Sequence, residues 1–244
     1  MAFTVRLANY YIKLESDSSK LREFFQDYIV LDKEADFSIS WSEDDFNIEE
    51  QGTDSNFSHD YLETLVVLRK ISEIFPQKDC LLFHGASISY GGQAYLIAAP
   101  SGTGKSTHIR LWKKYLGSEV GIVNGDKPFI SFKTTPPLVH GTPWAGKERW
   151  QKNCQVPLRA ICFIKRGTTN KIRKTSIIEA LPLLMKQIYI PQDETSAAQT
   201  LALIDLLIKK VPLYLLECDM SEDAVRCSFE ELTGLSYISN KKSN

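Results

Sequence analysis

One stretch restricts the possible folds of this chain more than any other. It runs Gln93-Ala94-Tyr95-Leu96-Ile97-Ala98, then Ala99-Pro100-Ser101-Gly102-Thr103-Gly104-Lys105-Ser106-Thr107, then His108-Ile109-Arg110-Leu111-Trp112-Lys113-Lys114-Tyr115-Leu116 before Gly117. An apolar run of strand character, a glycine-rich turn and a segment with helical spacing follow one another directly. The turn fits G-x-x-x-x-G-K-[ST] with Ala99 at the first position and Gly104, Lys105 and Ser106 in place. Gly102 and Gly104 let backbone N–H groups close around a phosphate with no Cβ in the way. Lys105 brings a point charge to β and γ oxygens, the Ser106 hydroxyl can ligate Mg²⁺, and the helix N-terminus adds its partial positive charge. An ordinary strand-to-helix turn could share the glycines, but strand and helix on the correct sides favour the phosphate reading. Ser101, Gly102, Thr103, Gly104, Lys105, Ser106 and Thr107 are the expected nucleotide-binding residues.

The 244 residues leave room for one domain with a smaller appendage. Hydrophobic residues make up 43% and charged residues 24%, which supports a real core under an ordinary soluble surface. Lys+Arg of 29 against Asp+Glu of 30 gives a net charge of -1, so no basic field argues for nucleic acid. No basic amphipathic block argues for a membrane, apolar runs are too short to span one, and Met1-Ala2-Phe3-Thr4-Val5-Arg6 has no secretion signal's apolar region. A cytoplasmic location is expected. Cys80, Cys154, Cys162, Cys218 and Cys227 are odd in number and widely spaced, which suits reduced thiols better than a disulfide framework. His59, His84, His108 and His140 have no metal-ligand spacing.

Along the chain, Val5 to Leu14 has strand propensity and Asp36 to Trp41 alternates polar with apolar. Ser42-Glu43-Asp44-Asp45 and Glu49 to Ser55 read as solvated loop, and Ser58 is a candidate cap for a helix over Tyr61 to Phe75, closed by Pro76. Leu81 to Ile88 reads as a strand, Tyr90-Gly91-Gly92-Gln93 as a hairpin turn, and Val120 to Asp126 as a buried strand ending in a carboxylate. Strands over Leu158 to Lys165 and Leu213 to Leu216 alternate with helices over Ile177 to Ile190, Ser196 to Lys209 and Glu222 to Leu232. The boundary falls near Pro76, giving an N-terminal accessory module, 1–76, and a nucleotide-binding domain, 77–244.

Three sites gain meaning beside a phosphate loop. Asp126 stands where such a protein places an acid for Mg²⁺, although a lone Asp at a strand end is usually turn chemistry. His84 precedes a glycine and could carry a proton or touch phosphate, because imidazole titrates near neutrality; alone it would more often be a satisfied turn residue. Gly141-Thr142-Pro143-Trp144-Ala145-Gly146-Lys147 is a glycine-hinged loop with a cation, read equally as an acceptor wall or as plain surface.

The order Leu82-Phe83-His84-Gly85-Ala86-Ser87-Ile88, glycine hairpin, phosphate loop, then Asn124-Gly125-Asp126-Lys127-Pro128 resembles the catalytic core of the HPr kinase/phosphorylase family. That family groups with the ATP-type phosphoenolpyruvate carboxykinases. The sequence looks most like the small bacterial HPr-kinase-like proteins, some of which phosphorylate a serine in peptide natural products. The resemblance covers Leu81 to Arg166. It implies an α+β fold, in which a β-rich mixed-sheet core carries the phosphate loop with flanking helices, beside a small N-terminal α/β module. It further implies ATP and Mg²⁺ as ligands, Lys105, Asp126 and His84 as catalytic residues, and Ser106 with Asp126 on the metal. Transfer of a γ-phosphoryl group to serine of a peptide or small protein follows, with a homo-oligomer possible and no part for nucleic acid or membrane. HPr kinase carries two adjacent acids where this chain has Gly125 and Asp126. The alternatives are a nucleotide-binding regulatory module with weak catalysis and a kinase of an amino acid or other small metabolite.

Overall fold

The computed structural model describes residues 2–52, 57–100 and 102–238, and every count below refers to these. Contacts divide the chain into two compact units. One holds the residues up to Lys78 together with Ile190–Thr200; the other holds Asp79–Tyr189 and the residues from Leu201 onward.

The first unit opens with β1 (Phe3–Leu7) and β2 (Tyr10–Leu14), followed by α1 (Ser19–Phe24), β3 (Ile29–Val30), β4 (Phe37–Ile39), α2 (Glu43–Gln51) and α3 (His59–Ile74). The run expected as one strand over Val5 to Leu14 is a hairpin, turned by Ala8 and Asn9 at φ 47° and 70°. Asn tolerates that left-handed region, and the Arg6 guanidinium donates to Asn9 Oδ1 at 2.7 Å. The four strands lie in the order β3-β1-β2-β4. Val5, Leu7, Ile12 and Leu14 of the hairpin are buried, as are Val66, Val67 and Ile71 of the amphipathic α3.

The acidic segment from Glu43 is a helix and not the expected solvated loop. Ser42 and Asp45 form a capping box, and three acids occupy the first turn, where the helix dipole favours them. Arg69 on α3 then draws α2 inward, bonding Asp45 at 2.8 Å and Glu49 at 2.7 Å. The end of the second expected loop segment, 53–55, lies outside the described residues. Ser58 accepts from the Tyr61 amide and caps α3, whereas His59 stacks on Phe46 at 4.2 Å.

The second unit contains β5 (Cys80–Leu82), β6 (Ala86–Tyr90), β7 (Gln93–Ala98), α4 (Lys105–Leu116), β8 (Gly121–Asn124), β9 (Phe129–Ser131), β10 (Leu138–His140), β11 (Gln155–Arg166), β12 (Lys171–Lys174), α5 (Ile177–Met185), α6 (Glu194–Lys210), β13 (Leu213–Cys218) and α7 (Glu222–Thr233). The first seven residues of α6 belong to the first unit. Nine strands form the sheet, with the path β5-β9-β10-β11-β7-β6-β8, while β13 pairs with β11 and β12 with β13. Only β11 with β7 and β11 with β13 run parallel, so the sheet is mixed and the fold is α+β.

Side chains alternate across this sheet at the two-residue period of a strand. Ala94, Leu96 and Ala98 of β7 pack in one cluster with Ile161 and Phe163 of β11, Leu184 of α5 and Leu203, Ile204 and Leu207 of α6. Tyr95 and Ile97 face the other way, onto Ile109 and Trp112 of α4 and Val225 and Phe229 of α7. Both faces are therefore covered by helices. Burial of each large side chain contributes on the order of 2 kcal/mol, and Trp112 and Leu96 are fully buried.

Two expected boundaries shift for one reason. The strand read over Leu81 to Ile88 breaks at Phe83-His84-Gly85, because β5 pairs with β9 whereas β6 pairs with β7 and β8. The helix read over Ile177 to Ile190 stops at Met185, and the chain beyond it bridges Phe83 through Ile188. Backbone pairing with a distant segment outweighs helical spacing here. The five cysteines are free, and burial pushes the Cys80 thiol up to about 12 and the Cys218 thiol up to about 11. No described helix is long and apolar enough to cross a membrane.

Candidate functional site

The glycine loop leaves β7 after Ala98, inside the sheet, and delivers the chain to the start of α4. Gly102 and Gly104 have φ of 73° and 121°, and no atom lies within 4 Å of where a Cβ would stand on either. At 121° the backbone is one that only glycine adopts readily. Thr103 N–H donates to Pro100 O at 3.2 Å, and Lys105 Nζ donates to Ala99 O at 3.0 Å. Lys105, Ser106 and Thr107 form the first turn of α4, whose leading amides lack intrahelical acceptors. Ser101, expected among the nucleotide-binding residues, lies outside the described residues.

Asp126 follows β8 in a turn built by a buried asparagine. Asn124 Oδ1 accepts from the amides of Asp126 at 2.8 Å and Lys127 at 2.7 Å, while its Nδ2 donates to Thr142 O at 2.9 Å. Thr142 Oγ1 in turn donates to Lys127 O at 2.7 Å. One side chain thus sets the Asp126 turn and ties it to the Gly141–Lys147 loop. Gly125 sits against that loop: a Cβ there would stand 2.5 Å from Ala145 O and 3.3 Å from Trp150 Cβ. The space that a second acid would need at this position is, in this chain, filled by backbone.

His84 comes from the break between β5 and β6. Its amide donates to Gln187 O at 2.6 Å, and the next amide, Gly85 N–H, donates to Asp126 O at 2.8 Å. The imidazole Nε2 then lies 3.3 Å from Asp126 Oδ1, and Lys127 Nζ lies 3.0 Å from Oδ2. Burial alone would raise the Asp126 pKa, but the His84 hydrogen bond and the Lys127 charge outweigh it and hold the carboxyl at about 2. Burial depresses the Lys105 ammonium, which the Asp126 carboxylate partly offsets and Lys127 reinforces. Lys105, His84 and Asp126 therefore share one electrostatic neighbourhood, whereas no hydrogen bond links Ser106 or Thr107 to it among the described contacts.

Three residues without an assigned role in the sequence matter here. Asn124 and Thr142 build the turn, and Arg166, at the end of β11, donates from Nε to Thr103 O at 3.1 Å and from Nη2 to Gly102 O. An Asn two residues before an Asp was a readable turn signal; Thr142 and Arg166 gave none. The described residues contain no group of three or more His, Cys, Asp and Glu placed to hold a metal. A single ionised carboxylate fits Mg²⁺ better than a transition metal, because Mg²⁺ keeps several waters and takes phosphate oxygens as ligands.

The architecture is that of an α+β protein with a strand, glycine loop and helix beside a carboxylate turn. Residues 53–224 match the family described as "ScmC: SynChlorMet cassette protein ScmC". The chain belongs to that family. A search of curated proteins gave no match. Among solved structures, the Hpr(Ser) kinase/phosphatase from Coxiella burnetii aligns at 11% identity with a TM-score of 0.35, over 63% of this chain and 93% of that one.

Proposed function

We propose that this chain is an ATP-dependent phosphotransferase that moves a γ-phosphoryl group to a hydroxyl, with serine of a peptide or small protein as the acceptor. The observation that carries this reading is Asp126, ionised and held by His84 and Lys127, in electrostatic reach of Lys105 on the glycine loop. The loop amides and Lys105 bind the nucleotide phosphates, and Ser106 with Asp126 holds Mg²⁺. When bound, the ion neutralises charge on the transferring group. The acceptor oxygen forms a bond to γ-phosphorus as the bond to the bridging β–γ oxygen breaks, and the nucleoside diphosphate leaves. With its pKa at about 2, Asp126 is a weak base. It accepts a hydrogen bond from the acceptor hydroxyl and aims it, and the proton passes on to solvent as the ester forms. A loose transition state asks little basicity of the group that orients the nucleophile.

The family's description as a cassette protein makes peptides encoded beside the gene the first acceptors to try. The test is incubation with Mg-ATP and such peptides, read by mass spectrometry for an added phosphate on serine. Lys105→Ala is expected to abolish product, and Asp126→Asn to lower the rate by roughly two or more orders of magnitude; full activity of either variant overturns the assignment. A regulatory nucleotide-binding module is the second reading, favoured by Gly125 in place of an acid. Tight Mg-ATP binding with no product across the peptide panel and with free serine would select it.

A further inference from the structure

At its two glycines the loop gains nothing from side-chain packing. Gly102 and Gly104 face open space, with nothing within 4 Å of a notional Cβ on either. Gly104 nevertheless keeps φ at 121°, which an unrestrained chain leaves readily. Inside the loop, the Thr103 amide bonds Pro100 O and Lys105 Nζ bonds Ala99 O. Lys105 is also the cation that serves a phosphate, so its three N–H donors are then shared between Ala99 O and the phosphate oxygens. A further tether that makes no phosphate contact would hold the loop in shape independently of what Lys105 binds.

We propose that Arg166 is this tether, a positioning residue that latches the loop from the side away from the phosphates. The proposal rests on the reading of the loop as a nucleotide site. β11 runs parallel to β7 with Phe163 opposite Ala98, so the end of β11 rises beside the loop that follows β7. From there the rigid guanidinium fork of Arg166 takes two successive carbonyls, Gly102 O and Thr103 O. In a trans peptide the C=O and the following N–H point in opposite directions. A carbonyl of Thr103 held toward Arg166 therefore turns the Gly104 N–H away from it, toward the mouth of the loop. The fork geometry explains why arginine stands here: two carbonyls spaced along a chain match two fixed donors, while an ammonium presents a single point charge. Arg166 is exposed and its fork is spent on backbone oxygens, so its role lies in ordering the loop and not in core packing.

The test compares Arg166→Ala and Arg166→Lys with the wild-type chain, and uses Arg173→Ala, another exposed arginine, as a control. Hydrogen exchange of the amides of Gly102, Thr103 and Gly104 is followed without nucleotide, and Mg-ATP affinity is measured by calorimetry. Arg166→Ala is expected to speed exchange of these amides and to weaken Mg-ATP about tenfold, since tenfold corresponds to about 1.4 kcal/mol, with an unchanged melting temperature. Arg166→Lys should recover only part of both effects. Unchanged exchange in Arg166→Ala, or faster exchange with wild-type affinity, overturns the latch. If the wild-type chain binds no Mg-ATP, the phosphotransferase reading fails, and the latch is then decided by exchange alone.

Discussion

At the scale of single residues, each unit holds a carboxylate that is partly withdrawn from water and kept charged by its neighbours. Asp126 is held at about 2 because His84 and Lys127 outweigh the cost of burial, and Asp45 is held at about 2 because Arg69, the Ser42 amide and Lys70 do the same. Carboxyls in an unfolded chain titrate near about 4. As pH falls, the unfolded state takes up protons first, so the stability from both groups is intact above about pH 4 and drains away toward about pH 2. Each contributes on the order of 2 kcal/mol before screening. Denaturant unfolding followed between about pH 5 and about pH 2 should therefore show a falling acid limb, and Asp126→Asn should flatten it. A limb of wild-type steepness in that variant would contradict the ion pairing. The glycine turn and helix start that carry Lys105 and Ser106 were legible in the sequence, since they are local to one turn. Arg166 and Thr142 were not, and of Asn124 only the local turn was, because their other partners are brought to them by segments from elsewhere in the chain.

At the scale of elements, what matters is how segments cross. β5 and β6 read as a single strand, but the sheet assigns them different partners, and the break between them places His84 against Asp126. The acidic run from Glu43 read as loop because its charges come with few apolar residues, and Arg69 made it a helix by neutralising its inner face. Gly125 lies where its turn meets the Gly141–Lys147 loop. A Gly125→Asp substitution, offered to restore a second acid, would press its Cβ against Ala145 O at 2.5 Å and move the loop that Thr142 anchors. The expected result is a loss of about 1–3 kcal/mol of stability and no gain in phosphoryl transfer. Thermal melting and the peptide assay check this together, and a stable variant with raised activity would refute the steric account.

At the scale of the whole molecule, β11 carries the second unit. It pairs with β10 at its start and with β7 and β13 beyond, and its residues Ile161 and Cys162 are fully buried on opposite faces. Amides of β11 and β7 are accordingly expected to exchange last in that unit, at rates set by its global opening. Ile161→Ala should cost about 2–5 kcal/mol, read from a urea midpoint shifted without change of slope. Faster exchange in β11 than in the short β5 would count against this view of the core.

By itself the sequence determined the features that act over one or two turns of chain: the strand, glycine loop and helix around Lys105, the amphipathic faces of α3, α4 and α7, and the Ser58 cap. These follow from backbone periodicity and from which residues satisfy free amides, and both are written in neighbouring positions. The tertiary structure alone decided that His84 meets Asp126, that Gly125 must be a glycine, that Arg166 holds the loop and that Asn124 joins two turns. Each of those depends on which strands pair, and strand pairing is settled by hydrogen bonds and apolar burial between segments far apart in the chain.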